Sequence, residues 1–128
     1  MSSLTFDLEP VLNAMRNLYP GKRFGKIEVH WLSDDALLEI NKKHLDHDYY
    51  TDIITFDYSR GNKVSGELFI STDRIADNAQ ALNCSINQET NRVVAHGILH
   101  LVGFGDKTTE EQAIMRSKED EVLKAIGL

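Results

Sequence analysis

His96-Gly97-Ile98-Leu99-His100-Leu101-Val102-Gly103-Phe104-Gly105-Asp106 is the stretch of this chain that says most about its fold and chemistry. Two histidines four residues apart lie one above the other on one face of a helix. Gly103 can end that helix and turn the chain back, which brings Asp106 toward both imidazoles. Two histidine nitrogens and one carboxylate oxygen are acceptable zinc ligands, and three protein ligands leave a coordination position open for chemistry. The spacing therefore predicts a metal site formed by His96, His100 and Asp106.

The two histidines also have a simpler explanation, because a lone histidine in an apolar helix is more often a buried, hydrogen-bonded residue than a ligand. At about 100° per residue, however, His96 and His100 project from the side of the helix opposite its core stripe. That stripe consists of Val94, Ile98 and Leu101. Metal ligation is therefore the interpretation that we favour for the pair.

Asp106 could instead cap the helix that follows. Thr108 and Glu111 already form a capping box at that point, which leaves Asp106 free to act as a ligand.

Two classes of metalloenzyme share part of this pattern. The spacing is that of the elongated zinc-protease motif, but Gly97 stands where such a protease carries its general-base Glu, which argues against peptide hydrolysis. Two His and one carboxylate also form the facial triad of non-haem iron oxygenases. Those enzymes usually carry a His and the carboxylate two residues apart on a strand, whereas both histidines here lie on one predicted helix.

The bulk properties favour one globular domain spanning residues 1–128. The chain has 128 residues, of which 41% are hydrophobic and 27% charged, and no apolar run approaches the roughly 20 residues of a membrane helix. Met1-Ser2-Ser3-Leu4 does not resemble a secretory signal. A single cysteine, Cys84, suits a reducing compartment. We therefore expect a cytoplasmic protein that does not contact the membrane.

The net charge of −6 argues against a protein that holds nucleic acid by bulk electrostatics. Two short basic patches are visible, Lys22-Arg23 with Lys26 and Lys42-Lys43, and each is more typical of a solvated surface. Composition alone does not indicate RNA binding.

Periodicity predicts an α+β fold, a single domain in which a small mixed β-sheet packs against several helices. The metal site then lies on a central helix and the turn after it. We expect strands at about residues 4–8, 26–32, 51–57 and 65–71, the last two forming a hairpin around Gly61-Asn62. Helices are expected from Pro10 to about residue 18, and over about residues 34–43, 72–83, 87–102 and 109–126. His44 and His47 raise a second, weaker metal-site hypothesis in the loop before residue 51.

Residues 96–104 reproduce the pattern His-Gly-x-Leu-His-Leu-x-Gly followed by an aromatic residue. Together with residues 41–56, which include Thr51-Asp52-Ile53-Ile54-Thr55-Phe56, and with Gly66-Glu67-Leu68-Phe69-Ile70-Ser71, they make the chain resemble the YbeY family of bacterial rRNA maturation factors. The similarity extends over nearly the whole chain, from about Leu4 to Leu128.

The resemblance implies a zinc-dependent, single-strand-specific endoribonuclease, a hydrolase in which a metal-activated water cleaves an RNA phosphodiester. It implies a role in rRNA maturation and ribosome quality control, with ribosomal RNA, the small ribosomal subunit and ribosome-associated proteins as partners. One Zn²⁺ per chain is expected at His96, His100 and the position of a third family histidine, which is Asp106 here. An aspartate in that position leaves room for other divalent metals.

Two departures from the family pattern matter. Either Asp106 is the third ligand of a His-His-Asp site, or the turn is shifted so that Lys107 occupies the ligand position; counting from His96 favours the first. Leu45 stands where many relatives have an arginine thought to contact the phosphate backbone, which would weaken phosphate binding unless Lys42, Lys43 or His47 substitutes for it. These departures keep open a non-catalytic ribosome-assembly protein with a structural metal, and, less favoured, a different metal-dependent hydrolase or oxygenase.

Two acidic residues are candidates for acid/base work or for supporting the metal ligands. Asp52 and Glu67 lie at the start of one predicted strand and inside another, and either could equally have a purely structural role. A general base is otherwise not identifiable from the sequence.

Overall fold

The computed structural model describes residues 6–45 and 51–128. Within these ranges the chain forms α1 (Glu9–Leu18), β1 (Arg23–Leu32), α2 (Asp34–Leu45), β2 (Ile53–Asp57), β3 (Lys63–Ser71), α3 (Thr72–Leu82), α4 (Ile86–Val102) and α5 (Thr109–Ala125). The strands form a mixed sheet of order β1-β3-β2, with β1 parallel and β2 antiparallel to β3. The predicted α+β class, mixed sheet and β2-β3 hairpin are confirmed. None of these helices is both long and apolar enough to span a membrane.

The two faces of the sheet have different partners because side chains alternate along each strand. Leu68 and Ile70 are fully buried on the face covered by α4. Glu67 and Phe69 point to the opposite face, and Phe56, the register partner of Glu67, contacts the ring of His44 on α2. The sheet therefore separates the α4 side of the molecule from the α2 side.

Helix α4 is the central helix, in contact with β2, β3, α3 and α5. It begins after Ser85, whose side-chain oxygen accepts a hydrogen bond from the backbone N–H of Gln88 at 3.0 Å. The predicted core stripe is buried throughout, at Val94, Ile98 and Leu101. The side of α4 away from this stripe is left for the two histidines.

The predicted strands differ from the observed ones mainly in the N-terminal part of the chain, while β2 begins two residues later and β3 two residues earlier than predicted. Residues 4 and 5 lie outside the described ranges, and the strand expected at residues 4–8 is wrong for residues 6–8, which adopt no regular structure. Instead the Phe6 ring packs edge-on against Trp31, with centroids 5.6 Å apart. Strand β1 begins at Arg23 rather than Lys26, because its pairing with β3 shifts register between Phe24 and Ile27 and this irregularity breaks the alternation.

The hairpin between β2 and β3 depends on a glycine that touches the neighbouring backbone. A Cβ at Gly66 would lie 2.4 Å from the carbonyl oxygen of Phe56 and 2.8 Å from a Leu101 methyl group. We expect Gly66→Ala to lower the free energy of unfolding by at least about 2 kcal/mol, because the backbone clash is relieved only by separating β2 from β3. Urea unfolding of Gly66→Ala and of Gly21→Ala, whose Cβ has open space, checks this. Equal losses in the two variants would contradict it.

Candidate metal centre

Three atoms that could act as metal ligands converge beside the C-terminal half of α4. The Nε2 atoms of His96 and His100 lie 3.1 Å apart, and Oδ2 of Asp106 lies 3.2 Å from the first and 3.1 Å from the second. The structure thus brings together all three ligands predicted from sequence, and Asp106 rather than Lys107 faces the two imidazoles. Asp106 is not the cap of α5, because Thr108 occupies that position in a capping box with Glu111.

The second nitrogen of each imidazole is held by a hydrogen-bond acceptor. Nδ1 of His100 donates to the backbone oxygen of Phe104 at 2.8 Å, and Nδ1 of His96 donates to Oε2 of Glu119 at 2.7 Å. With the proton on Nδ1, each neutral ring directs the lone pair of Nε2 toward Asp106. Carboxylate or carbonyl partners of this kind orient metal-bound histidines and increase their basicity.

The donor set fits a metal ion. The two Nε2 atoms and the carboxylate oxygen each present a lone pair and no hydrogen, so a cation placed among them would bind all three at once. Tetrahedral zinc with ligands at about 2.0–2.1 Å separates its ligand atoms by about 3.3 Å, close to the 3.1–3.2 Å observed here. The group His96, His100 and Asp106 could therefore hold a metal ion.

The electrostatic surroundings also favour positive charge at this point. Burial lowers the pKa of His96, but the hydrogen bond and charge of Glu119, with the charges of Asp106 and Asp52, outweigh burial and raise the pKa above its ordinary value. The same negative field that stabilises a proton on His96 would stabilise a metal cation.

Glu119 is held by a second partner. Arg92 donates from Nη1 to Oε1 of Glu119 at 3.0 Å and from Nη2 to Asp120 at 3.1 Å. The Glu119 side chain is only 7% exposed. This network fixes α5 against α4 and, through Glu119, fixes the His96 ring.

The turn that delivers Asp106 relies on local backbone geometry. Gly103 ends α4 with a φ of 128°, a conformation that side chains other than glycine rarely adopt, and its N–H bonds to the carbonyl oxygens of Leu99 and His100. After Asp106, Oε1 of Glu111 accepts hydrogen bonds from the backbone N–H groups of Lys107 and Thr108. The turn is therefore tied to both helices that flank it.

Gly97, where a zinc protease carries its base, faces the sheet rather than the metal centre. A Cβ there would lie 2.8 Å from methyl groups of both Ile53 and Leu68. Close packing of α4 on the sheet explains the glycine, and a glutamate at this position would be driven into the core.

The metal centre lies where two surface cavities meet. One cavity, of about 400 Å³, extends between α3, α4 and α5, and the other, of about 590 Å³, extends along the edge strand β2. His96, Asp106 and Asp52 line both. The side chains of His96, His100 and Asp106 remain 23%, 26% and 40% exposed. The two cavities form a groove that passes over the three ligands.

Of the two acidic candidates, the structure brings only Asp52 to this groove. Burial raises the pKa of Asp52, and the charge of His96 acts in the opposite direction. Asp52 thus combines a half-buried carboxyl group with proximity to His96, the environment of many acid/base groups.

Glu67 lies elsewhere, which corrects the expectation that it supports the centre. Strand alternation directs it to the face of the sheet opposite α4, where it accepts hydrogen bonds from Tyr58 at 2.8 Å and from His30 at 2.9 Å. These contacts hold the pKa of Glu67 below its ordinary value. Glu28, His30 and Glu67 form a second group that could hold a metal ion.

The other candidates from sequence lie outside the groove or outside the described ranges. Lys26 pairs with Glu28 at 3.9 Å and Lys42 with Glu39 at 3.8 Å, as solvated residues do. His47 falls among the residues that are not described, and Leu45 is described only as the last residue of α2. The hypothesis of a second metal site at His44 and His47 therefore stays a prediction.

Fold and site together define a class: a small α+β protein whose central helix and following turn present a His-His-Asp group to an open groove. The family model described as Endoribonuclease YbeY matches residues 4–127, nearly the whole chain. The protein belongs to the endoribonuclease YbeY family, as the resemblance predicted.

Individual relatives agree with this assignment. Endoribonuclease YbeY of Phocaeicola vulgatus is 49% identical over 108 residues, covering 84% of this chain and 78% of the relative. The Parabacteroides distasonis protein of the same name is 50% identical over 103 residues, covering 80% and 72%. Among solved structures, the solution structure of TM1509 from Thermotoga maritima matches with a TM-score of 0.64 and 28% identity, over 93% of this chain and 80% of that one.

Proposed function

We propose that this protein is a zinc-dependent endoribonuclease that hydrolyses phosphodiester bonds in single-stranded RNA, with His96, His100 and Asp106 as the metal ligands. Residues 1–128 would act as one catalytic domain. The observation that carries the proposal is the convergence of three acceptor atoms, 3.1–3.2 Å apart, in an open groove. A purely structural zinc site is normally closed by four protein ligands, whereas a catalytic one keeps a position open.

The groove offers a path for a single RNA strand. It is lined by side chains of α3, α4 and α5 on one side of the ligands and by those of β2 on the other. A strand lying along it would place one phosphate at the ligands and its neighbours in the two cavities. Endoribonucleases of this family are the relatives that the chain matches, which supports RNA as the polymer.

The chain's own residues supply orientation and charge for hydrolysis. Zinc, when bound, supplies Lewis-acid chemistry at a phosphoryl oxygen and a water of lowered pKa. Glu119 and the Phe104 carbonyl keep both imidazoles in the orientation that ligation requires. Asp52, half-buried beside His96, can accept a proton from the attacking water or return one to the leaving oxygen.

Cationic side chains flank the ligands and compensate for Leu45 at the usual arginine position. Lys107 lines the cavity along β2, and Arg116 lines the cavity between α3, α4 and α5. Lys107 thus stands on one side of the metal centre, and on the other stands Arg116 together with Arg92, which is paired with Glu119 and Asp120. The phosphates before and after the cleaved bond would lie on these two sides. Local charges of this kind allow RNA binding despite a net charge of −6.

In the cell, the proposed substrate is ribosomal RNA and the proposed partners are the small ribosomal subunit and proteins associated with it. Maturation of rRNA and quality control of ribosomes would be the processes served, in the cytoplasm. Family membership supports this assignment.

The test is cleavage of a 5′-labelled, unstructured RNA by zinc-loaded protein. We expect cleavage that a chelator abolishes and Zn²⁺ restores, with little cleavage of the same sequence in a duplex. His96→Ala, purified in parallel, should be slower by at least about 1,000-fold, because it loses the several kcal/mol that a metal contributes. Equal cleavage by His96→Ala would reveal a contaminant and contradict the proposal. Tight rRNA binding without cleavage would favour the assembly-protein alternative.

The same cleavage assay distinguishes the role of Asp52 from that of Glu67. Asp52→Asn should lower the rate by about 100-fold, the scale of general acid–base catalysis, while its metal content stays unchanged. Glu67→Gln should stay within about twofold of wild type, since that carboxylate lies on the other face of the sheet. An Asp52→Asn variant with wild-type rate would exclude the role given to this carboxyl group.

A further inference from the structure

Glu89 is a buried acidic residue that the proposed chemistry does not use. It lies in the first turn of α4, where a glutamate usually stabilises the helix from an exposed position. Here it is only 4% exposed, and its Oε1 atom has no hydrogen-bond partner among residues 6–45 and 51–128. Burial raises the pKa of Glu89, opposed by the charge of Arg92 and by a hydrogen bond from Asn78. A buried, unpartnered carboxylate oxygen costs free energy unless a ligand satisfies it.

The position of Glu89 relates it to the metal centre. It precedes His96 by seven residues, or two helical turns, so both lie on one face of α4 about 10 Å apart along the axis. Both line the same 400 Å³ cavity between α3, α4 and α5. This cavity therefore leads from the ligands at one end to Glu89 at the other.

The remaining walls of the cavity suit a flat, partly apolar ring. Val93, Leu82 and Met115 provide apolar surface, Gln112 provides a neutral amide, and Arg92 and Arg116 provide positive charge. Asn78 also lines the cavity and hydrogen-bonds to Glu89. Proteins that read an unstacked base combine apolar contacts to its faces with hydrogen bonds to its edge. A base attached to a phosphate at the metal centre would extend in this direction.

The acceptor at Glu89 selects among bases by their donors. Adenine and cytosine carry an exocyclic amino group on the base edge, and guanine presents an amino group beside a ring N–H. Uracil presents one N–H between two carbonyl oxygens, which would face the Glu89 oxygen unfavourably. A base with an amino group therefore fits the site and uracil does not.

We propose that the cavity between α3, α4 and α5 binds the base next to the cleaved bond, and that Glu89 makes this subsite prefer a base with an exocyclic amino group over uracil. The inference rests on the proposed ribonuclease function and adds a specificity-determining residue to it.

Oligouridylates carrying one A, C or G at a fixed position, compared with the all-U strand, test the preference. Wild type should cut at a constant offset from the amino-bearing base, about tenfold faster than it cuts the all-U strand, the scale of one good base contact. Glu89→Leu should cut all strands within about twofold of one another, with unchanged zinc content. Glu89→Gln, which adds a donor and keeps the shape, should reduce the preference to below about threefold.

Glu110→Gln is the matched control, because it removes the same charge from an exposed position on α5. It should keep the wild-type preference. Cleavage by wild type without base preference, or a preference that survives in Glu89→Leu, would overturn the inference while leaving the ribonuclease function standing.

A binding measurement decides the inference if no strand is cleaved. Titration with AMP, CMP, GMP and UMP, followed by the NMR shifts of the Val93 and Leu82 methyl groups, should show about tenfold weaker binding of UMP. Glu89→Leu should abolish that difference. Equal affinity for all four mononucleotides would overturn the proposed subsite.

Discussion

Replacement of His100 by alanine is expected to weaken zinc binding by more than about 100-fold and to leave the purified protein without stoichiometric metal. The loss should exceed the 10–100-fold that removal of a supporting residue costs, because one of three direct ligands disappears. Asp106→Ala should behave in the same way, whereas Lys107→Ala should retain its metal. Elemental analysis of tag-free protein and competition with a chromogenic chelator measure both quantities.

The structure offers a matched histidine control for this experiment. His30 belongs to the second group with ligand geometry, on the other face of the sheet with Glu28 and Glu67. His30→Ala should bind one zinc per chain with wild-type affinity. Loss of metal in His30→Ala, with retention in His100→Ala, would show that zinc binds on the face of the sheet that carries His30 and would contradict the account.

The second large effect is expected at Glu119, which touches no metal. Glu119→Gln should lower zinc affinity by about 10–100-fold, because the carboxylate that accepts a hydrogen bond from Nδ1 of His96, at an N–O distance of 2.7 Å, becomes a neutral amide. Its cleavage rate at subsaturating zinc should fall with the affinity. Zinc titration of the cleavage rate separates this effect from a loss of catalysis, since added metal should restore much of the rate.

Asp120→Asn controls for the loss of a charge beside Arg92. Asp120 accepts a hydrogen bond from the same guanidinium at 3.1 Å, but its side chain is 59% exposed and lies toward solvent. Its zinc affinity should stay within about twofold of wild type. Equal losses in the two variants would mean that helix packing, rather than orientation of His96, explains the Glu119 effect.

Most of the fold could be predicted from sequence because its elements follow simple periodicities. The apolar stripe of α4 and the alternation in β3 are both buried as predicted. The exceptions have local causes. The start of β1 could not be predicted because its pairing with β3 is irregular after Phe24. The segment around Phe6 has the sequence pattern of a strand, but Phe6 packs on Trp31 and the segment pairs with no strand among the described residues.

The convergence of His96, His100 and Asp106 could be predicted because these residues are close in sequence, on one helix and the turn after it. Glu119 was missed because it approaches His96 from another helix, 23 residues further along the chain. A signal was nevertheless present: Glu119 lies on the inner face of α5 with Met115 and Val122, where an acidic residue needs a partner. The burial of Glu89 could not be predicted, because a glutamate in the first turn of a helix is ordinarily exposed.

Glu67 shows the opposite error. Its place in a strand was identified, yet an acidic residue beside the buried Leu68 must point away from α4 by alternation alone. The strand pattern therefore contained the information that separates Glu67 from the metal centre, while the identity of its partners, Tyr58 and His30, required the tertiary structure.

Anomalous X-ray diffraction at the zinc edge from crystals of the metal-loaded protein tests the central claim most directly. The account predicts one strong anomalous peak per chain, within about 2.2 Å of Nε2 of His96, Nε2 of His100 and a carboxylate oxygen of Asp106. A fourth position should face the groove and hold no protein ligand. A peak at Glu28, His30 and Glu67 instead, or a fourth protein side chain closing the site, would contradict it.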